Sequence, residues 1–120
     1  MAERRFTFPK SRRLTRSSEF EKVKKNGRVG RGRLLVLSVL SVNDAPRFRA
    51  GFITSRSIGS AVIRNRVRRR LREIVRKHQR EILAGNWIIV IPRANAARAS
   101  YQELEGEWLR LAKRASILAA

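Results

Sequence analysis

Ile63-Arg64-Asn65-Arg66-Val67-Arg68-Arg69-Arg70-Leu71-Arg72-Glu73-Ile74-Val75-Arg76-Lys77-His78-Gln79-Arg80 is the stretch from which the architecture is read. Of the seventeen residues after Ile63, nine are Arg or Lys and one is acidic. Apolar Ile63, Val67, Leu71, Ile74, Val75 and, just beyond, Ile82 recur at spacings of three and four, the period that lines one side of an α-helix. The guanidinium groups are thereby forced onto the other sides. Like charges at i, i+4, as in Arg64, Arg68, Arg72 and Arg76, repel by roughly 0.2–0.5 kcal/mol per pair in an isolated helix. A helix selected for solubility alone would intersperse Glu. One face of this helix is therefore expected to bind the protein's own core and the other a polyanion.

The rest of the chain carries the same sign. In 120 residues, 29 Lys and Arg stand against 9 Asp and Glu, a formal net charge of +20. Such a chain binds RNA, DNA or an anionic membrane by counterion release before any specific contact is made, and composition does not choose among them. The length suits one domain with a modest core. There is no cysteine, which excludes a disulfide framework and a thiolate metal site. The single histidine, His78, falls on the apolar side of the helix and is read as a boundary-packing residue. The start Met1-Ala2-Glu3-Arg4-Arg5-Phe6 lacks the apolar stretch of a signal peptide, and no run approaches the ~20 apolar residues of a membrane span. A cytoplasmic protein without a membrane partner is expected.

Outward from the arginine helix, Gly59 lies in a loop at its N-terminus and Gly85 ends its region. Upstream, Leu34 to Val42 and Phe48 to Thr54 are apolar, partly β-branched runs separated by Asn43-Asp44-Ala45-Pro46, and together they read as an antiparallel hairpin. Phe52 alternates with Ile53, so one of the two faces away from the main core. Ser18 with Glu21 forms a capping-box pattern and Gly27 suits a helix end, predicting a short helix over 18–26 with Phe20 and Val23 inward. Downstream, Trp87-Ile88-Ile89-Val90-Ile91 reads as a buried strand limited by Pro92. Ser100 with Glu103 opens a last helix whose Leu104, Trp108, Leu111 and Ala115 share a face. Trp87 and Trp108 are both read as core. Residues 1–16 are basic and aperiodic and are taken as a flexible arm; residues 17–116 form the domain. The order predicts an α+β fold, a small sheet with a hairpin packed by about three helices.

No catalytic constellation is legible. The carboxylates at 3, 19, 21, 44, 73, 81, 103, 105 and 107 stand mostly beside basic residues with no pair in a strand-end cleft. Gly27, Gly30 and Gly32 flank a basic loop that no strand precedes, a poor fit to a phosphate-cradling nucleotide fingerprint.

From Phe52-Ile53-Thr54-Ser55-Arg56 through Ile58-Gly59-Ser60-Ala61-Val62-Ile63-Arg64-Asn65-Arg66-Val67-Arg68-Arg69 to Leu71-Arg72-Glu73, the chain closely resembles the arginine-asparagine-arginine region of the bacterial ribonuclease P protein subunit. Arg13-Leu14, Ser18-Glu19-Phe20, Val23, Gly27 and the strand from Trp87 to Val90 fit the flanking pattern. The resemblance implies a mixed sheet in a sandwich like the second domain of ribosomal protein S5, with a left-handed β-α-β crossover that the general right-handed preference would not suggest. It also implies a role as the protein subunit of an endoribonuclease whose catalyst is an RNA. That RNA, with Mg2+ bound mainly by itself, removes the 5′ leader of precursor tRNA. By the same resemblance Arg56, Arg64, Asn65, Arg66, Arg68, Arg69 and Arg72 are expected to contact the catalytic RNA, and Phe20, Lys24 and Phe52 the leader. No catalytic residue, no metal bound by the protein and no DNA partner are expected.

The chain departs from the family pattern at Lys24 and Ser38, where aromatic residues are common, and at Ser57, often basic. Phosphate contacts from Lys24 are then expected to stand in for stacking on leader bases. Asn65 is open to three roles, reading a base edge, orienting a neighbouring Arg or holding a metal-bound water, set against plain helix capping. A general RNA-binding or ribosomal protein explains charge and size equally well but not the spacing of strand, glycine loop and helix. A DNA-binding regulator would need a helix-turn-helix partner where the hairpin is expected, and a protein-only nuclease would need a carboxylate cluster.

Overall fold

Four strands, Arg28–Arg31 (β1), Leu35–Ser41 (β2), Arg49–Phe52 (β3) and Asn86–Pro92 (β4), form one sheet in the order β1-β2-β4-β3, with helices Ser17–Asn26 (α1), Ala61–Lys77 (α2) and Tyr101–Arg114 (α3) against it. The computed structural model describes residues 12–43 and 45–119. The α+β architecture with a mixed sheet and three helices is the one expected, but its strand pairing is not. β2 and β3 do not form a hairpin: β4 lies between them, antiparallel to β2 and parallel to β3. A strand flanked on both sides and covered on both faces is apolar along its length, and β4 is from Trp87 onward, whereas β3 carries Arg49 and Gly51. The hairpin belongs to β1 and β2, Arg28 facing Val39 and Arg31 facing Val36. β1 reads as a basic loop because an exposed edge strand needs no apolar alternation.

The two faces of the sheet carry separate cores. Leu35, Leu37, Val39, Ala50, Ile88 and Val90 pack against Val67, Leu71, Ile74 and Val75 of α2 and Leu104, Trp108 and Leu111 of α3. Each such side chain fully buried contributes about 1.5–3 kcal/mol. On the other face, Ile89 meets Val23 of α1 and Leu14, with Phe20, Leu40, Ile53, Trp87 and Ile91 half-buried around them.

Several polar devices fix the frame. The Glu107 carboxylate, 3% exposed, accepts the N–H groups of Leu34 and Leu35 at 2.5 and 2.6 Å, tying the β1–β2 turn to α3. At α3 the expected capping box forms: Ser100 Oγ accepts from Glu103 N–H at 3.1 Å and Glu103 from Ser100 N–H at 2.8 Å. Its far end closes with Ile117 N–H on Ala112 O and Ser116 N–H on Lys113 O, the paired bonds of a Schellman motif. Ser116 there takes φ 60°.

Other boundaries differ from the sequence reading. α1 begins one residue early, and the acidic residue that folds back is Glu19, which accepts from Thr15 and Arg16 N–H at 3.0 and 3.1 Å, not Glu21. Gly27 ends α1 in extended geometry, φ −84°. The residue is small because a Cβ would sit 2.5 Å from Val23 O and 2.7 Å from Val39 O. α2 ends at Lys77, and Gly85, φ +82°, serves the turn into β4. Residues 12–16 belong to the body rather than to a flexible arm: Arg13 bridges Ala50, and Leu14, 5% exposed, donates its N–H to Ala50 O at 2.9 Å. Residues 1–11 of that arm lie outside the described residues.

Candidate nucleic-acid interface

β3 runs into the loop Ser55–Gly59, and Ser60 caps α2 by accepting from Ile63 N–H at 3.4 Å. Asn65 is therefore not the helix cap. Its Oδ1 accepts from Arg68 at 3.1 Å, and the other arm of the Arg68 fork donates to Thr54 Oγ1 at the end of β3. Of the three roles open to Asn65 in the sequence, this geometry is that of orienting a neighbouring arginine.

The buried stripe Val67, Leu71, Ile74, Val75 splits the arginines of α2 into two flanks. Along the β3 side, Arg64 donates to Gly59 O at 3.3 Å, Arg68 is held as above, and the Arg72 guanidinium lies 5.9 Å over the Phe52 ring. Burial, then the like charges of Arg13 and Arg68, hold Arg72 below the usual arginine range. On the other flank Arg66 donates to Ala97 O at 3.4 Å and Arg70 to Ala99 O at 3.0 Å. Asn65 and Arg69 stand exposed on the outer side, and Arg56 is exposed in the preceding turn. Six of the seven expected RNA-contacting residues thus lie on the β3 flank, the outer side or the loop. Arg66 faces the other way, paired with Arg70, which the sequence reading did not single out. Arg76 is neutralised by a bidentate pair with Glu73, both bonds 2.7 Å.

The second expected surface lies on the opposite face of the sheet. Phe20 is half-buried there against the Leu14, Val23 and Ile89 cluster, and Lys24 is exposed one turn on. Phe52 is not with them. Side chains alternate along a strand; Gly51 meets Phe20, so Phe52 points to the α2 face and Ile53 returns to the α1 face. The leader-contacting trio expected from the sequence is accordingly split by the sheet. In the place of Phe52 stands Trp87, half-buried on the α1 face rather than core, with Lys22 and Arg49 cations 5.7 and 5.4 Å from its ring. Its Nε1 is buried without a hydrogen-bond partner. The alternation Trp87, Ile89, Ile91 against Ile88 and Val90 carried the signal for this placement. Arg49 also pairs with Glu19. Burial pushes that carboxyl up, but the N–H groups of Arg16 and Thr15 and the Arg49 guanidinium outweigh it and leave it below the usual range.

His78 is a packing residue, as its position suggests: it stacks on Trp108 at 5.8 Å and meets Glu105 at 2.8 Å, which also pairs with Lys77. Among the described residues no three His, Asp or Glu side chains converge as a metal site, and no helix is long and apolar enough to cross a membrane.

A two-faced α+β scaffold with an arginine helix on one side and half-buried aromatic side chains flanked by cations on the other suits a polyanion-binding protein. Its family is shown by comparison: residues 8–116 match the family model described as Ribonuclease P, and the chain belongs to that family. A ribonuclease P protein component of Acidothermus cellulolyticus is 44% identical over 107 residues, 88% of this chain and 89% of that one. One from Syntrophomonas wolfei is 34% identical over 92% of each. Among solved structures, a Staphylococcus aureus RNase P protein mutant with defective mRNA degradation activity superposes with TM-score 0.85 at 27% identity, covering 91% of this chain and 92% of that one. The Thermotoga maritima RNase P protein gives 0.77 at 28%, covering 85% and 96%. The chain is thus a protein subunit of ribonuclease P, part of an endoribonuclease of tRNA processing, and has an RNA partner.

Proposed function

We propose that the two faces take two RNA ligands. The α2 face, with Arg56, Arg64, Asn65, Arg68, Arg69 and Arg72, binds the catalytic RNA, and the cleft beneath α1, with Phe20, Lys24 and Trp87, takes the single-stranded 5′ leader of precursor tRNA. The RNA carries the active site and its Mg2+, and the protein works in the cytoplasm. The observation that carries this reading is the separation of an arginine surface from a half-buried aromatic cleft by the sheet itself. Arg68, fixed by Asn65 and Thr54, is pre-set for a phosphate, since a fork already ordered loses less entropy on binding. In the cleft, rings offer stacking and Lys22, Lys24 and Arg49 offer phosphate contacts, the pairing that suits single strands.

Reconstituted enzyme tests it. Arg68→Ala with Arg69→Ala should weaken assembly with the catalytic RNA, whereas Phe20→Ala should leave assembly intact and lower the preference for precursor over mature tRNA by the ~1–3 kcal/mol of a lost stacking contact. The protein alone should cleave precursor tRNA at no Mg2+ concentration. Equal loss of assembly in both variants, or cleavage by RNA-free protein, contradicts the assignment.

A further inference from the structure

The second flank of α2 borders a groove that the arginine face leaves unexplained. Between the first turns of α2 and the turn Ala94–Arg98 lies a depression of about 590 Å3, floored by Ile58, Ile63 and Ala97 and rimmed by Arg66, Arg98 and Asn95. Val62, 75% exposed, stands one turn before Arg66 on the same helix. We propose that this groove receives one unpaired nucleotide of the RNA that α2 binds, its base on the apolar floor and its flanking phosphates on Arg66 and Arg98.

The proposal rests on the reading of α2 as an RNA face and adds what part of the RNA it meets. A duplex presents phosphates, which an apolar floor cannot solvate and whose burial there is unfavourable. An unstacked base presents an apolar face and polar edges, and RNA offers such bases at bulges and junctions. Arg66 and Arg98 supply planar groups that stack on a base or fork to a phosphate. Val62, a large apolar side chain left 75% exposed, gains by covering a ribose or base surface. Asn95 donates its Nδ2 to Arg33 O at 3.1 Å, which leaves Oδ1 directed as an acceptor. It therefore favours a base with an exocyclic amino group, adenine, cytosine or guanine, over uracil.

Filling the groove without touching a charge separates shape from electrostatics. Ala94→Trp, and Ser57→Trp from the facing wall, should each lower the affinity of the full chain for the catalytic RNA about tenfold, the scale of one lost base contact. The salt dependence of binding should stay unchanged. Dimethyl sulfate and kethoxal probing should find an unpaired A, C or G protected by the wild-type protein and reactive again with either variant, while hydroxyl-radical protection of the backbone persists. Variants that melt like wild type and bind with the same affinity and base protection would overturn the groove assignment. Loss of base protection in none, with backbone protection in all, would do so as well. Absence of backbone protection by the wild-type protein would instead sink the reading of α2 itself, and the groove assignment with it.

Discussion

The edge of the Phe20 ring occupies the space that a side chain at Gly51 would need. A Cβ built on Gly51 sits 2.5 Å from Phe20 Cε1, 2.6 Å from Cζ and 3.2 Å from Leu14 Cβ. α1 therefore reaches β3 at a separation only glycine permits. The Glu19–Arg49 pair holds the same two elements together from the side.

Gly51→Ala should consequently destabilise the protein by about 1–3 kcal/mol, the range for forcing a methyl into packed surroundings. Phe20→Ala should relieve much of it, so that the double variant costs less than the sum of the singles by more than about 0.5 kcal/mol. Urea denaturation of the four proteins checks this; strict additivity would mean the ring moves aside freely.

Ser116 holds φ 60° at the end of α3, a left-handed position where glycine carries no steric penalty. Ser116→Gly should raise stability by about 0.5–1 kcal/mol, the strain relieved exceeding the added freedom of the unfolded chain. A thermal melt reads it as an upward shift of a few degrees. A downward shift would show that the Ser116 side chain contributes more than its backbone costs.

The Glu19 carboxyl, lowered from 4.5 in the folded protein, binds fewer protons there than in the unfolded chain. Its contribution is full above the unfolded value and is lost as pH falls through the folded one. Glu19→Gln should flatten the fall of stability below about pH 4.5. The flattening is partial, because Glu103 and Glu105 are lowered too and share the window. Denaturation midpoints across pH 3 to 6 measure it; an unchanged slope would mean that the Arg16 and Thr15 N–H groups and the Arg49 guanidinium together add nothing to the fold.

The arginine helix and its buried stripe are legible because period and charge agree over four turns, and the start of α3 and the strand β4 carry strong local signals, whereas the end of α3 at Arg114, closed by Ser116, carries none. Strand pairing is not legible. Adjacent runs such as Leu34–Val42 and Phe48–Thr54 favour a hairpin locally, and only burial on both faces of β4, a property of the finished sheet, places it between them. Ser18-Glu21 is the better cap in sequence than Arg16-Glu19, since Ser and not Arg is a preferred N-cap. The second wins because Glu19 also meets Arg49, a partner thirty residues away. Phe52 drew attention as an aromatic beside the resembling motif, but the side of the sheet it faces depends on register, which turns on Gly51 lying under Phe20. Trp87 was read as core for the same reason in reverse: an apolar run shows burial, not which of two unequal cores receives it.

The central claim is that the α2 face neutralises RNA phosphates rather than merely facing water. Its most direct test is the affinity of the full chain for the catalytic RNA as a function of salt. If the helix, the loop and the N-terminal basic residues neutralise on the order of six phosphates, the log-log slope is about −4 to −5. Arg69→Ala, an exposed side chain whose loss leaves the fold intact, should reduce it by roughly one unit. A slope near −1 that Arg69→Ala leaves unchanged would contradict the account.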